Sequence, residues 1–332
     1  MSPVTERETV ELTMGAAINQ ALDQALADDP AVFLLGEDIM DPAGGVMQVT
    51  QGLSTKHGRD RVRETPISEQ AIIGAAIGAA MAGLRPVAEI MIMDFLAVCA
   101  DQLVNHAAKL RFMSGGRTNV PLTIRCLHTG GFQMGAQHSQ TLEAWLCHVP
   151  GLNVVVPSTP ADAKGLLTAC IRNDDPCVFI EPAALYGAPG PVPAGEHVVP
   201  LGRADVKRTG SDVTLITYGR QVHDCLAVAA ALEGDIDVEV LDLRSLAPWD
   251  SEAMLASVSK TRRAVVVHQA VRRCGVGAEI AAFLSEELWG TLAAPVLRVG
   301  GKDTPVPYAK ELEEFHLPQA ADITEAVRTV TK

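Results

Sequence analysis

Two short segments hold the residues with the clearest chemical potential in this 332-residue chain. The first, TPISEQ at 65–70, is a turn that feeds a helix of small residues and places Glu69 at its start. Ser68 as helix cap and Glu69 as a carboxylate complementing the helix dipole would account for both residues without any ligand. The second, GGFQMGAQHSQ at 130–140, follows an apolar strand signal, and its glycines let backbone approach a bound molecule closely. His138 is its only titratable group. An imidazole can move protons near neutral pH, although a structural or solvated histidine also fits a lone position in a loop. Other chemistries lack their motifs. No G-x-G-x-x-G opens a helix after a strand, and Gly275 and Gly277 lack a third glycine. Neither G-x-x-x-x-G-K-[ST] nor G-x-S-x-G occurs, and His128 and His138 stand ten apart with no carboxylate cluster to complete a metal site.

The elements that must position these segments alternate. Helical spacing from Met14 to Ala25 precedes a strand at 31–36, and then come a helix at 68–83, a strand at 86–91, a long helix at 95–113 and a strand at 121–127. A short helical stretch after Thr141, a strand at 152–156, a helix at 161–172 and a strand at 177–180 complete the first set. Strands separated by helices predict a mostly parallel sheet covered on both faces. Prolines and glycines crowd 181–210, which reads as linker chemistry. Past it the spacing predicts strands at 213–218, 238–243, 264–268 and 295–299 with helices at 222–232 and 277–289. The expected organisation is an α/β domain at 1–190, a linker at 191–210 and a second α/β domain at 211–332. The small face of the helix at 74–83 suits a closely approaching helix, from this chain or from another.

Composition narrows the class. Apolar residues make up 48% and aromatics only 4%, which favours closely packed α/β cores over disorder. A net charge of −13 without a basic stripe argues against nucleic acid. Seven cysteines, at 99, 126, 147, 170, 177, 225 and 274, form no C-x-x-C pair and read as reduced thiols of a cytoplasmic protein. The longest small and apolar run, 71–83, falls short of the roughly 20 residues that span a bilayer, and no export or organelle address is visible.

Several longer segments point one way together: LLGED at 34–38, TPISE at 65–69, GAAMAGLRP at 78–86, AQHSQ at 136–140, HVPGLNVVVPSTPADAKGLL at 148–167 and DTPVPYAKELE at 303–313. In order and over nearly the whole chain, they resemble the β-subunit of 2-oxo acid and acetoin dehydrogenases. The resemblance implies a transketolase-like pyrimidine-binding domain followed by a transketolase C-terminal α/β domain, and thiamin diphosphate as cofactor. Glu69 then matches the glutamate that hydrogen-bonds the pyrimidine ring nitrogen, which lets the cofactor act as its own base. Ile67 and Met91 match apolar positions beside the cofactor, and Phe95 matches the aromatic that stacks on the pyrimidine. His138 matches the histidine that reaches the reacting carbon, and Glu37 a glutamate of the acidic channel between two active sites.

The same resemblance implies an α-subunit in an α2β2 heterotetramer. G-D-G followed by paired asparagines, the diphosphate and magnesium motif, occurs nowhere in this chain, so the α-subunit must supply it. In some members a potassium ion is held by main-chain carbonyls at positions corresponding to Leu122, Cys170, Asn173 and Asp175. The expected reaction decarboxylates a 2-oxo acid or cleaves acetoin and passes the acyl group to a lipoyl-bearing acyltransferase core. Acyl transfer to a different carrier protein and a non-catalytic α/β scaffold are the alternatives; Glu69, Phe95 and His138 weigh against the scaffold. Val98 in place of a frequent Gln, Met93 in place of an aromatic, and QAVRRCG at 269–275 depart from the common pattern and leave the substrate open.

Overall fold

A computed structural model describes residues 8–332 as two large sheets with helical layers and a separate two-stranded ribbon, the expected α/β class. Seven strands make the first sheet in the order Ser245–Ala247, Asn153–Val155, Cys177–Pro182, Thr123–His128, Arg85–Ile92, Val32–Gly36 and Val62–Glu64. All neighbours run parallel except the first pair. Five make the second, in the order Leu297–Gly301, Ala264–Val271, Val213–Thr217, Val238–Asp242 and Asp205–Arg208, antiparallel only at the last pair.

Period-two alternation sorts the strand residues between cores. Val32 and Leu34 face a core built with the helices Met14–Asp28 and Pro160–Arg172, whereas Phe33 and Leu35 face the opposite one. That opposite core is shared: Ile72, Ile73 and Ile77 of helix Glu69–Met81 belong to the same apolar cluster as Ile216, Leu241 and Met254 of the second sheet's half. Val213, Leu215 and Val240 face a third cluster with Val327 and Val330. Among the described residues, no helix is long and apolar enough to cross a membrane.

Three expectations need correction. The helix expected at 95–113 opens as a 3-10 turn, Met93–Ala97, and widens into a π-helical stretch, Gln102–Ala107, before Ala108–Met113. Phe95 therefore sits on a tight turn and not on a regular helix. The proline-rich stretch is not bare linker either. Pro189–Pro193 pairs antiparallel with Thr9–Thr13, with Gly190 and Val192 opposite Leu12 and Val10. Prolines at alternate positions put every missing N–H on the unpaired edge, so the ribbon tolerates them. Finally, a helix at Ser251–Thr261, capped by Asp250 accepting from the Ala253 N–H at 3.0 Å, supplies the crossover between Val238–Asp242 and Ala264–Val271.

Candidate active site

Four neighbouring parallel strands end on one side of the first sheet, where open α/β sheets bind their ligands. Val32–Gly36 hands on to Glu37, Val62–Glu64 to the turn before Glu69, Arg85–Ile92 to Phe95, and Thr123–His128 to the loop carrying His138. Parallel neighbouring strands thus deliver four separated segments to one end of the sheet.

Glu69 opens its helix with 9% of its surface exposed, and its carboxylate takes no hydrogen bond from any described residue. Ser68 does not cap that helix; its hydroxyl donates to the Pro66 carbonyl at 3.0 Å. Burial, followed by the charges of Glu69, Asp38 and Glu89, raises the Glu37 carboxyl above its ordinary range. Burial also pushes the Cys99 thiol up to about 12, with Glu69 adding to the effect, so Glu69 lies near the turn after Phe95.

Phe95 and His138 meet edge to face, ring centroids 5.4 Å apart at 80°. Asp94 joins the two segments, its Oδ1 accepting from the Gln140 backbone N–H at 3.2 Å and from Gln140 Nε2 at 2.9 Å. The Thr129 hydroxyl donates to the His138 carbonyl. Met91 is half-buried on its strand, and Ile67 stands 81% exposed in the turn before Glu69. Thr65 Oγ1, Asp94 Oδ2 and Ser139 Oγ, in the segments that carry these residues, are buried without a hydrogen-bond partner among the described residues.

Behind Glu37 lies an ion cluster. Arg125 donates from Nη1 to Glu89 at 2.6 Å, and from Nε and Nη2 to Glu181 at 2.6 and 2.8 Å, while the Tyr186 hydroxyl also donates to Glu181. Burial works against the Arg125 charge, and the two carboxylates outweigh it.

Comparison with known proteins decides the family. The sequence model for the transketolase pyrimidine binding domain matches residues 10–189, and that for the transketolase C-terminal domain matches 202–323. The chain is 46% identical to the β subunit of acetoin:2,6-dichlorophenolindophenol oxidoreductase from Cupriavidus necator, covering 97% of this chain and 98% of that one. It is 44% identical to the 2-oxoisovalerate dehydrogenase β subunit of Pseudomonas aeruginosa, covering 96% and 95%. It belongs to the β-subunit family of 2-oxo acid and acetoin dehydrogenases. As a member of that family it is a subunit of an oxidoreductase. A mitochondrial pyruvate dehydrogenase E1 β subunit of Caenorhabditis elegans is 42% identical over 99% of this chain and 95% of its own. Among solved structures, an inactive β4 tetramer of a split-gene transketolase shares the fold at TM-score 0.80 and 24% identity, covering 97% of this chain and 99% of that one.

Within this β-subunit fold the four carbonyls expected around potassium already accept hydrogen bonds. Those of Leu122, Cys170 and Asp175 serve Cys177 N, Asn173 N and Cys177 Sγ at 2.9, 3.1 and 3.5 Å. That of Asn173 serves the Arg85 guanidinium at 3.1 Å, so a potassium ion would have to share it with a fixed cation. Among the described residues, no cluster of three or more His, Cys, Asp or Glu side chains is placed to hold a metal.

Sequence reasoning gave no role to Asp94, Arg125, Glu181 or Glu313. Charged residues inside apolar strand runs, as in TIRCLH and VAEIM, are a readable sign of buried pairing. Glu313 carries no such sign, because it sits among Glu311 and Glu314 in what reads as a solvated helix face.

Proposed function

We propose that this chain is the pyrimidine-side β subunit of a thiamin-diphosphate-dependent 2-oxo acid dehydrogenase component. An α-type chain completes its active site, and the acyl product goes to a lipoyl carrier. One observation carries the reading: Glu69, only 9% exposed, takes no hydrogen bond from any described residue, and it follows a strand that ends on the same side of the sheet as those leading to the Phe95–His138 contact. Thiamin diphosphate, when bound, supplies an acidic carbon that attacks a carbonyl and a ring that accepts the electron pair released on decarboxylation.

Each side chain has a part that its position suits. Glu69 would share a proton with the pyrimidine ring nitrogen, a task for a carboxyl group with nothing else to bind. Phe95, Met91 and Ile67 would flank the ring, and the exposed Ile67 is available for contact with the cofactor and the completing chain. His138, held against Phe95, would move a proton at the oxygen of the reacting carbonyl during acyl transfer. Glu37, raised above its ordinary range beside Glu69 and Glu89, would hold a proton within a row of carboxyl groups. The chain has no diphosphate motif, so diphosphate and magnesium would be held by the partner. Similarity to the Cupriavidus acetoin oxidoreductase β subunit favours acetoin as the alternative substrate of the same site.

The test is Glu69→Gln in the complex reconstituted with the α-type chain. An amide keeps the shape and loses the shared proton. If Glu69 serves only the helix dipole, stability shifts by no more than about 1 kcal/mol and turnover is unchanged. If it serves the cofactor, proton exchange at the acidic carbon, followed by NMR after quenching in heavy water, slows by at least about a hundredfold. A wild-type exchange rate overturns the assignment.

A further inference from the structure

The loop that carries His138 is held by a carboxylate from the far end of the chain. Glu313, in the short helix Lys310–His316, is 2% exposed. Its Oε1 accepts from the Gly131 backbone N–H at 2.9 Å and its Oε2 from that of Gln133 at 2.8 Å. A second observation points to the same place. The backbone at Gly131, Gln133 and Gly135 is left-handed, with φ of 99°, 57° and 75°, and Gln133 is a side chain that rarely adopts such a conformation. A strained backbone of this kind persists only where its surroundings over-determine it, and two charge-assisted bonds to one buried carboxylate do so here.

The other contacts fit the same arrangement. A Cβ at Gly131 would fall 2.8 Å from Arg220 Nη1 and one at Gly130 2.2 Å from Gln269 Nε2, so glycines at the root of the loop admit side chains of the second sheet's half. Tyr308 packs beside Gly135. At the other end, Thr129 holds the His138 carbonyl and Asp94 holds Gln140. Between these ties, His138 meets Phe95.

We propose that Glu313 is a positioning residue for the reaction. By binding two loop N–H groups it fixes the turn at 131–135, and that turn sets where the His138 imidazole stands. The proposal rests on the reading of His138 as the group that serves acyl transfer. It assigns the second sheet's half of the chain a direct part in the geometry of a site otherwise built on the first sheet.

The experiment uses the complex with the α-type chain and compares Glu313→Gln, Glu313→Asp, His138→Ala and the Glu313→Gln/His138→Ala pair. Gln keeps the size but turns one acceptor into a donor that faces an N–H; Asp keeps the charge but draws the oxygens back by one methylene. Hydrogen exchange over 130–140 should quicken in both Glu313 variants while the helices Met14–Asp28 and Glu69–Met81 stay protected. Acyl transfer from a 2-oxo acid to a lipoyl domain should fall by about tenfold to a hundredfold, the cost of a misplaced group, in kcat and not in KM. Cofactor affinity should not change, and the double variant should be no slower than His138→Ala alone. Wild-type exchange over 130–140 in both variants overturns the proposal, and so does a Glu313 penalty that multiplies with that of His138→Ala. A wild-type transfer rate for His138→Ala by itself refutes the histidine reading instead, and the exchange measurement then still decides whether Glu313 holds the loop.

Discussion

An imidazole in T-shaped contact with a phenyl ring, with its backbone carbonyl tied to Thr129, has little freedom to search for a proton partner. Little of the fold's core depends on that imidazole, since it lies half-exposed in a loop. His138→Ala should therefore leave the melting temperature and thiamin diphosphate affinity of the complex near wild type while slowing acyl transfer to a lipoyl acceptor by about a hundredfold or more. Rapid-quench measurement of lipoyl acylation checks it, and an unchanged rate removes His138 from the mechanism. Arg125 is the contrasting case. Its guanidinium is 3% exposed and answers two carboxylates, so Arg125→Met strands Glu89 and Glu181 without their counter-charge. The expected cost is about 3–5 kcal/mol, read as a drop in the urea midpoint of the isolated chain.

At the scale of elements, strand Thr123–His128 ends in a histidine kept neutral by its surroundings. Burial, followed by the charge of Arg220, pulls the His128 pKa down to about 4. The unfolded chain binds a proton there below about pH 6.5, whereas the folded one does so only near 4, so stability contributed by neutral His128 is lost as pH falls through that window. Asp242 acts in the opposite sense. Burial raises it to about 7, against the pull of Lys207, and its contribution is lost as pH climbs from the ordinary aspartate range towards 7. Comparing His128→Gln with the parent isolates one share. The variant should lose less melting temperature between pH 6.5 and 4.5, and identical slopes would contradict a neutral buried His128. Legibility followed the same physics. Val213–Thr217 and Val238–Asp242 are fully buried, and their Val, Leu and Ile residues mark them as core strands, whereas Thr9–Thr13 is mostly exposed and Pro189–Pro193 has proline at every other position, which reads as linker. The helix Ser251–Thr261 had a legible start in Asp250 but few apolar positions to mark its face. Glu69 and His138 stood out through their motifs. Asp94 and Glu313 act through contacts 46 and 182 residues away, which no local pattern encodes.

For the molecule as a whole, the small-residue helix Glu69–Met81 buries Ile72, Ile73 and Ile77 and leaves Gly74 and Gly78 outward. A Cβ at either glycine would meet nothing within 4 Å, so the chain itself has room for a larger side chain there. If that face seats a second copy of the chain, Gly78→Leu should keep the fold by circular dichroism and shift the sedimentation of the isolated chain from dimer to monomer. Dimers that survive the substitution would place the contact elsewhere. The isolated chain should also show no thiamin-dependent decarboxylation, since it lacks the diphosphate motif; turnover by highly purified material would contradict the division of the site between two chains.

The strand Ser245–Ala247 bears on how such a protein can be cut and rejoined. It closes the edge of the first sheet by pairing with Asn153–Val155, although it lies beyond the first strands of the second sheet in the chain. A gene fragment ending near residue 190 would release Asn153–Val155 as an open strand edge, ready to recruit strands from other copies. Circular permutants, fragment complementation and domain exchange with relatives therefore have to carry 245–247 along with the first sheet. A break placed at the proline-rich stretch alone leaves that edge uncovered, whatever the quality of the fragment's own core.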